Sequence, residues 1–156
     1  MSSGVIRKII PDDLGKIIEL ERKCFNENAA YNPRQLKYLI TIANSSCLGE
    51  AIHETLRGFV IVLYKKGTVV AGIETLNVDP IFQGNGIGKK LLEAAEEDMY
   101  PNGIKKIRLE VSAGNVSAIK LYEKSGFRKI KMLKNYYYYK QNGSYDAYRM
   151  VKELTT

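Results

Sequence analysis

Three glycines in five residues, Gly84, Gly86 and Gly88, follow an apolar segment and precede a pattern typical of an amphipathic helix. Glycine lets several backbone N–H groups converge on one ligand, because no Cβ atom blocks the approach. The N-terminus of the following helix adds the positive end of its dipole at the same place. A strand–loop–helix unit of this kind is suited to a phosphate or a pyrophosphate, and it indicates a nucleotide-like cofactor.

Two common phosphate-binding motifs do not fit this loop. A P-loop requires Ser or Thr after Gly-Lys, and here Gly88-Lys89 is followed by Lys90. A dinucleotide fingerprint requires Gly-x-Gly-x-x-Gly near the first strand and an acidic residue further on, whereas this loop reads Gly-x-Gly-x-Gly in mid-chain. With Val78-Asp79-Pro80 before it and Gln83 at its start, the loop resembles the acetyl-CoA pyrophosphate loop of the GNAT N-acetyltransferases.

A second block of residues strengthens this resemblance. The segments similar to the second half of the GNAT fold are Leu109-Glu110-Val111, Asn115, Ala118, Leu121-Tyr122 and Gly126-Phe127. Further on, Lys134-Asn135-Tyr136-Tyr137, Asp146-Ala147 and Met150 resemble the branch that acetylates protein N-terminal α-amines, which includes the ribosomal-protein-alanine acetyltransferases. The resemblance spans roughly residues 5 to 153.

The resemblance implies an α/β fold in one N-acetyltransferase domain over residues 1–156. Its central sheet is expected to be mixed and mostly antiparallel, with about seven strands and helices on both faces. Two parallel strands, ending near Val78 and Val111, should splay apart and form the wedge that takes the pantetheine arm. Acetyl-CoA is the implied cofactor, with CoA as product.

Alternating and helical apolar patterns predict the elements of this sheet. The predicted strands are Val5–Ile10, Cys47–His53, Arg57–Tyr64, Thr68–Val78, Lys106–Ser112, Phe127–Tyr139 and Tyr145–Lys152, with a hairpin turn at Lys66-Gly67. The predicted helices begin at Pro11 and Pro33 and cover Asn85–Met99 and Asn115–Ser125.

The resemblance also implies roles for individual residues. Glu110 occupies the position of the general base, and Tyr122 that of the acid that protonates the CoA thiolate. Asn115 matches an asparagine that hydrogen-bonds the cofactor arm, although a plain helix cap explains it equally well. Without the resemblance, Glu110 could face either solvent or the cleft, and Tyr122 would be ordinary core packing. The expected cofactor contacts are the backbone of Leu76, Asn77 and Val78 and the pyrophosphate loop Gln83, Gly84, Asn85, Gly86, Ile87, Gly88 and Lys89.

The acceptor is expected to enter between two loops. One carries Phe25, Glu27 and Tyr31, and the other carries Tyr136 and Tyr137. Aromatic rings can pack on a peptide while their hydroxyl groups form hydrogen bonds. Protein or peptide N-termini are the partners that this arrangement predicts.

Composition limits the remaining classes. No run of 18 apolar residues or apolar leader occurs, which predicts a soluble, cytoplasmic protein without membrane contact. Cys24, Cys47 and the single histidine, His53, lack metal-ligand spacing, so no metal site is expected; both cysteines are interpreted as buried thiols and His53 as a surface or packing residue. The net charge of +7 suits a solvated surface or an acidic partner such as a ribosomal surface, but no nucleic-acid-binding motif accompanies it, and nucleic acid is not the expected ligand.

Three functions remain open at this point. The first is acetylation of N-terminal α-amines, and the second is acetylation of lysine or a small amine on the same scaffold. The third is a non-catalytic CoA-sensing or nucleic-acid-binding adaptor. At pH 7 an α-amine costs about 1 kcal/mol to deprotonate and a lysine about 4.6 kcal/mol, so a single carboxylate base favours the first.

Overall fold

The computed structural model describes residues 3–25 and 30–155, and it contains a seven-stranded mixed sheet with the strand order β1-β2-β3-β4-β5-β7-β6. The strands are β1 Val5–Lys8, β2 Ser45–Ile52, β3 Thr55–Tyr64, β4 Val70–Val78, β5 Lys106–Ser112, β6 Arg128–Leu133 and β7 Ala147–Glu153. The α-helices are α1 Leu14–Cys24, α2 Pro33–Thr41, α3 Ile87–Met99 and α4 Val116–Lys124. The expected α/β fold of the GNAT type is confirmed.

The only parallel neighbours among these strands, β4 and β5, separate soon after they meet. Their register pairs Val70, Ala71 and Gly72 with Lys106, Ile107 and Arg108, and no further pair follows, although β4 continues to Val78 and β5 to Ser112. All other strand pairs are antiparallel. The sheet therefore opens into the predicted wedge between its two halves.

Helices cover both faces of the sheet, as expected. On one face, α3 and α4 pack on a core that includes Leu91, Ile107 and Met150, all fully buried. On the other face, α1 and α2 pack on Phe59 and neighbouring apolar side chains of β2 and β3. Each buried side chain of this size stabilises the fold by about 1.5–3 kcal/mol. None of the helices within the described residues is long and apolar enough to cross a membrane.

The predicted strand Phe127–Tyr139 is wrong in its second half. β6 ends at Leu133, and Asn135 then adopts a left-handed backbone with φ 53. Its N–H group is held at 2.9 Å by Oδ1 of Asp146, which turns the chain out of the sheet. The run Tyr136–Tyr139 therefore lies in a loop between β6 and β7, not in a strand.

The other element bounds differ from the predictions by only a few residues. The first helix of the prediction is divided into a short 3-10 helix, Pro11–Asp13, and α1. β2 ends at Ile52, because His53 forms the turn to β3 with a left-handed φ of 53. Such shifts are expected where turn residues at an element's end still fit its apolar pattern.

Candidate active site

A cavity of about 230 Å³ occupies the wedge between β4 and β5. Eight of the residues predicted for the site line it: Phe25, Tyr31, Leu76, Glu110, Asn115, Tyr122, Tyr136 and Tyr137. They come from five separate parts of the chain, and the splayed sheet brings them together. Glu27 was predicted to join them but lies outside the described residues.

Glu110 faces into this cavity and not into the core. Its neighbours Leu109 and Val111 are buried on the side of α3 and α4, so the alternation of the strand turns Glu110 to the opposite side. Its Oε2 accepts a hydrogen bond from Nε of Arg149 at 3.0 Å and lies 3.5 Å from Nε of Arg108. Within residues 3–25 and 30–155, Oε1 accepts no hydrogen bond. The arginines fix the carboxylate while one oxygen stays available.

Tyr122 lies on α4 with only 7% of its surface exposed, and its ring packs edge-on against Phe127 at a centroid distance of 5.6 Å. Burial raises the pKa of the Tyr122 phenol well above its usual range, and the nearby Tyr137 raises that pKa further. The phenol therefore keeps its proton throughout the neutral range. It is both part of the core and part of the cavity wall.

Asn115 begins α4 as its N-cap. Its Oδ1 accepts the backbone N–H of Ala118 at 3.2 Å, and the hydroxyl of Ser117 donates to the same oxygen at 3.3 Å. The residue also lines the cavity. The cap is therefore established, and it leaves the side chain beside the wedge, where a cofactor arm would pass.

The loop before α3 has the backbone that an anion cradle needs. Gly84 and Gly86 have φ values of 84 and 78, and a Cβ atom at either position would point into open space. The side chains of Asn85 and Gln83 brace the loop by donating to the carbonyl groups of Phe82 at 2.9 Å and of Val78 at 3.1 Å. Because the loop is exposed and ends at the first turn of a 13-residue helix, its N–H groups fit a pyrophosphate.

The last three residues predicted for the loop have different roles in the structure: Ile87, Gly88 and Lys89. A Cβ atom at Gly88 would lie 2.9 Å from Cδ2 of Leu121, so this glycine permits the close approach of α3 and α4. Ile87 is buried and anchors α3 in the core, so only its backbone is available to a ligand at this loop. The Lys89 side chain is exposed beside the helix N-terminus, where a cation complements a bound pyrophosphate.

The end of β4 supplies backbone groups to the wedge from alternate residues. The N–H of Asp79 bonds to the carbonyl of Arg57, and Asn77 is paired with Phe59, so these residues direct their backbone groups towards β3. Leu76 and Val78 therefore direct theirs away from β3, into the wedge. The side chain of Asn77 is fully buried beneath the sheet. Of the three predicted residues, Leu76 and Val78 are the ones placed to contact a cofactor.

The aromatic residues of the acceptor side are held by hydrogen bonds. The Tyr31 hydroxyl donates to Oε2 of Glu74 at 2.7 Å, and burial together with this carboxylate raises the pKa of Tyr31. The N–H of Tyr137 bonds to the carbonyl of Tyr145 at 3.0 Å, and the Tyr136 and Tyr137 rings meet edge-to-face at 5.0 Å. Burial, with Tyr136 and Glu110 nearby, raises the pKa of Tyr137 to about 12.

Sequence reasoning missed Glu21, which is 1% exposed and lines the same cavity. Its Oε1 accepts hydrogen bonds from Oγ1 of Thr75 at 3.1 Å and Nδ2 of Asn77 at 2.7 Å, and its Oε2 accepts the N–H of Tyr31 at 3.0 Å. The Glu21 carboxylate thus connects α1 and β4 to the loop that carries Tyr31. The available signal was its spacing, since Glu21 lies four residues after buried Ile17 on the apolar stripe of α1.

The thiols and the histidine lie apart from this chemistry. Cys24 and Cys47 are half-buried, and burial raises both pKa values, that of Cys24 to about 11, so the thiols stay protonated. His53 is exposed at the turn between β2 and β3. In the part of the chain that the structure describes, no three His, Cys, Asp or Glu residues form a group that could hold a metal.

Known N-acetyltransferases resemble this chain over most of its length. The sequence model of the Acetyltransferase (GNAT) family matches residues 14–127. An N-alpha-acetyltransferase of Saccharolobus solfataricus is 32% identical, with 96% of this chain and 92% of the relative aligned. A [ribosomal protein bS18]-alanine N-acetyltransferase of Haemophilus ducreyi is 31% identical over 85% of this chain and 88% of the relative. The solved PaiA N-acetyltransferase of Thermoplasma acidophilum, in complex with coenzyme A, superposes with a TM-score of 0.81, 26% identity and coverage of 98% of this chain and 100% of that one. The chain therefore belongs to the GNAT family of N-acetyltransferases.

Proposed function

We propose that the protein transfers the acetyl group of acetyl-CoA to the N-terminal α-amine of proteins. The observation that carries this proposal is the meeting of Glu110 and Tyr122 in one cavity at the splayed end of β4 and β5. Both relatives described above act, by their names, on α-amines, and they align with most of this chain. The family and the geometry support the same chemistry.

The bound cofactor supplies the acetyl thioester, and the residues of the chain supply binding and proton transfer. The N–H groups of the loop from Gln83 to Lys89 hold the pyrophosphate, and those of Leu76 and Val78 orient the acyl arm. Asn115 hydrogen-bonds that arm with the part of its side chain not used in the cap. In a cofactor held by these groups, the thioester lies beside Glu110.

Two side chains move protons in the proposed reaction. Oε1 of Glu110, which accepts no hydrogen bond within the described residues, accepts the proton that the acceptor ammonium must release before attack. The Tyr122 hydroxyl then donates its proton to the departing sulfur. Its raised pKa keeps that proton available at neutral pH.

Lysine or small-amine acetylation is the alternative on the same scaffold, and a peptide panel separates the two. Peptides with a free or a blocked N-terminus, each with and without an internal lysine, are incubated with acetyl-CoA, and mass spectrometry locates the added acetyl group. We expect modification of every free N-terminus and little modification of lysine. Equal rates on blocked, lysine-containing peptides would contradict the α-amine assignment, and absence of transfer to any amine would favour the non-catalytic adaptor.

A further inference from the structure

The charge of the chain is concentrated in one segment. Seven Lys and Arg residues and a single Glu lie between positions 120 and 140, which gives this segment a net charge of +6 out of +7 for the whole chain. All seven cations are exposed. Since the rest of the sequence is nearly balanced in charge, the positive potential of the protein originates mainly from α4, β6 and the loop between β6 and β7.

Part of this charge lies on the exposed end of the sheet. The main strand contacts of α1 and α2 are with β2, β3 and β4, whereas β6 is exposed along its length except at Leu133, and the side chains of Arg108 on β5 and Arg149 on β7 are 52% and 30% exposed. We call the side of β5, β7 and β6 that carries Glu110 the open face. Register places Glu110 opposite Arg149, and Arg149 opposite Lys131, in one row across these three strands. Residues directly opposite in antiparallel strands share a face. Lys131 therefore lies on the face that leads out of the cavity past Glu110.

The cavity and its surroundings have opposite charges. Three carboxylates, those of Glu21, Glu74 and Glu110, and one guanidinium, that of Arg108, line the cavity, so the lining where an acceptor ammonium would bind is negative in balance. Outside it, Lys131 and Lys134 are exposed and form no ion pair within the described residues. An acceptor with a positive amine at its head and negative side chains behind it would match both regions.

We propose that the open face of β5, β7 and β6 is the path of the acceptor chain behind its N-terminus, and that Lys131 and Lys134 select acceptors with acidic residues after the first few positions. This inference rests on the proposed function and adds the substrate class. Each exposed charge pair changes an affinity by roughly 1.4- to 5-fold, so two lysines give a preference of about tenfold over a neutral tail. An exposed interaction of this kind weakens as salt rises.

A basic surface with tyrosines can also bind a nucleic acid, but the geometry of the tyrosine rings disfavours that ligand here. Single-strand binding relies on open aromatic faces on which bases stack. Here Nζ of Lys129 lies 4.2 Å from the centroid of the Tyr148 ring, and Nζ of Lys140 lies 5.5 Å from that of Tyr145. Tyr138 and Tyr139 are packed edge-to-face at 4.9 Å. The cations cover one face of the Tyr148 and Tyr145 rings, and Tyr138 and Tyr139 stand across each other, so these rings do not form the row of parallel open faces that single-strand binding uses.

Three peptides test the proposal. They share their first three residues and a free N-terminus and differ only in a following run of Glu, Gln or Arg. We expect kcat/KM at low salt to be about tenfold higher for the Glu tail than for the Gln tail, lower still for the Arg tail, and nearly equal for all three at high salt. Equal values for the three tails at low salt would overturn the proposal. Because the Gln-tail peptide reports N-terminal transfer by itself, its failure would count against the proposed function instead.

Matched variants locate the effect. In Lys131→Glu with Lys134→Glu the preference should disappear or reverse, and in the neutral pair Lys131→Gln with Lys134→Gln it should be intermediate. The control, Lys65→Glu with Lys66→Glu, makes the same charge change at the exposed β3–β4 turn, before β4 begins, and should keep the preference. Loss in both charge-reversed pairs would show an effect of net charge and refute the open face as the path. Tight binding of polyuridylate that depends on Lys131 and Lys134, without any tail preference, would assign the surface to nucleic acid and also refute the proposal.

Discussion

Replacement of Glu21 should reveal whether this buried residue acts through its charge or through its hydrogen bonds. Glu21→Ala removes the acceptor of three hydrogen bonds at once. Asn77 is 1% exposed and Thr75 is 5% exposed, so their donors would remain buried without a partner. An unsatisfied buried group costs about 1–3 kcal/mol. We therefore expect Glu21→Ala to lower the free energy of unfolding by about 4 kcal/mol.

Glu21→Gln should cost far less, because the surrounding groups can adapt to an amide. The Gln carbonyl can accept the N–H of Tyr31, and its NH₂ group can donate to the Thr75 hydroxyl. Oδ1 of Asn77 is buried without a hydrogen-bond partner within the described residues, so this amide can turn over and accept the second NH₂ hydrogen. All three contacts survive as neutral hydrogen bonds, and the removal of a buried charge offsets part of their weakening. We expect a loss of roughly 1 kcal/mol.

Urea titration and thermal unfolding measure both effects. For a chain of this length, the thermal midpoint should fall by roughly 8–16 °C in Glu21→Ala and by less than about 4 °C in Glu21→Gln. Glu19→Ala is the control, since Glu19 is exposed on the same helix and, among the residues that the structure describes, pairs only with Lys23. In assays below the midpoint, Glu21→Ala should also raise the peptide KM, because Tyr31 loses its anchor. Equal destabilisation by Ala and Gln would refute the hydrogen-bond reasoning and indicate that the charge itself is required.

Three further predictions concern the site. Gly86→Asp should abolish acetyl-CoA binding in calorimetry while the fold survives, because it adds a carboxylate that repels the pyrophosphate at a left-handed position. Gly86→Asn adds nearly the same bulk without the charge and should bind acetyl-CoA more tightly than the Asp variant. Wild-type affinity in the Asp variant would exclude the loop as the cradle. Glu110→Gln should lower kcat/KM by about 10²–10⁴-fold, most at low pH where the amine needs a base, and Tyr122→Phe should slow turnover with little change in acetyl-CoA affinity. If either variant keeps the wild-type rate from about pH 6 to about pH 9, the substituted residue takes no part in the mechanism. Tyr137→Ala should raise the peptide KM at least about tenfold, or roughly 1.4 kcal/mol, while the matched Tyr138→Ala, at a position 88% exposed, should not; equal effects would argue against a specific Tyr137 contact.

Much of the fold follows from local patterns in the sequence. The glycines at 84, 86 and 88 predicted a loop before a helix, and the structure has this loop, with left-handed φ values at Gly84 and Gly86. Asn115 predicted the start of α4 and caps it. The limits of local reasoning are clear at Asn135, where an aromatic run that suits a strand is turned into a loop by a hydrogen bond to Asp146, eleven residues later. Strand propensity is outweighed there by a contact that no local window contains.

The same limit explains why the side chains that hold the site residues by hydrogen bonds could not be predicted from the sequence. The family resemblance selected Glu110, but Arg149, which holds it, is 39 residues away and becomes its neighbour only through the register of β5 and β7. Glu21 is 54 residues from Thr75 and 56 from Asn77, and their meeting requires α1 to pack beneath the end of β4. Candidate catalytic groups are recognisable where they match a family motif, whereas the groups that orient them become neighbours only through the topology of the fold. A charged residue on an apolar helix stripe, as at Glu21, is the signal by which the sequence indicates such a partner before the fold is known.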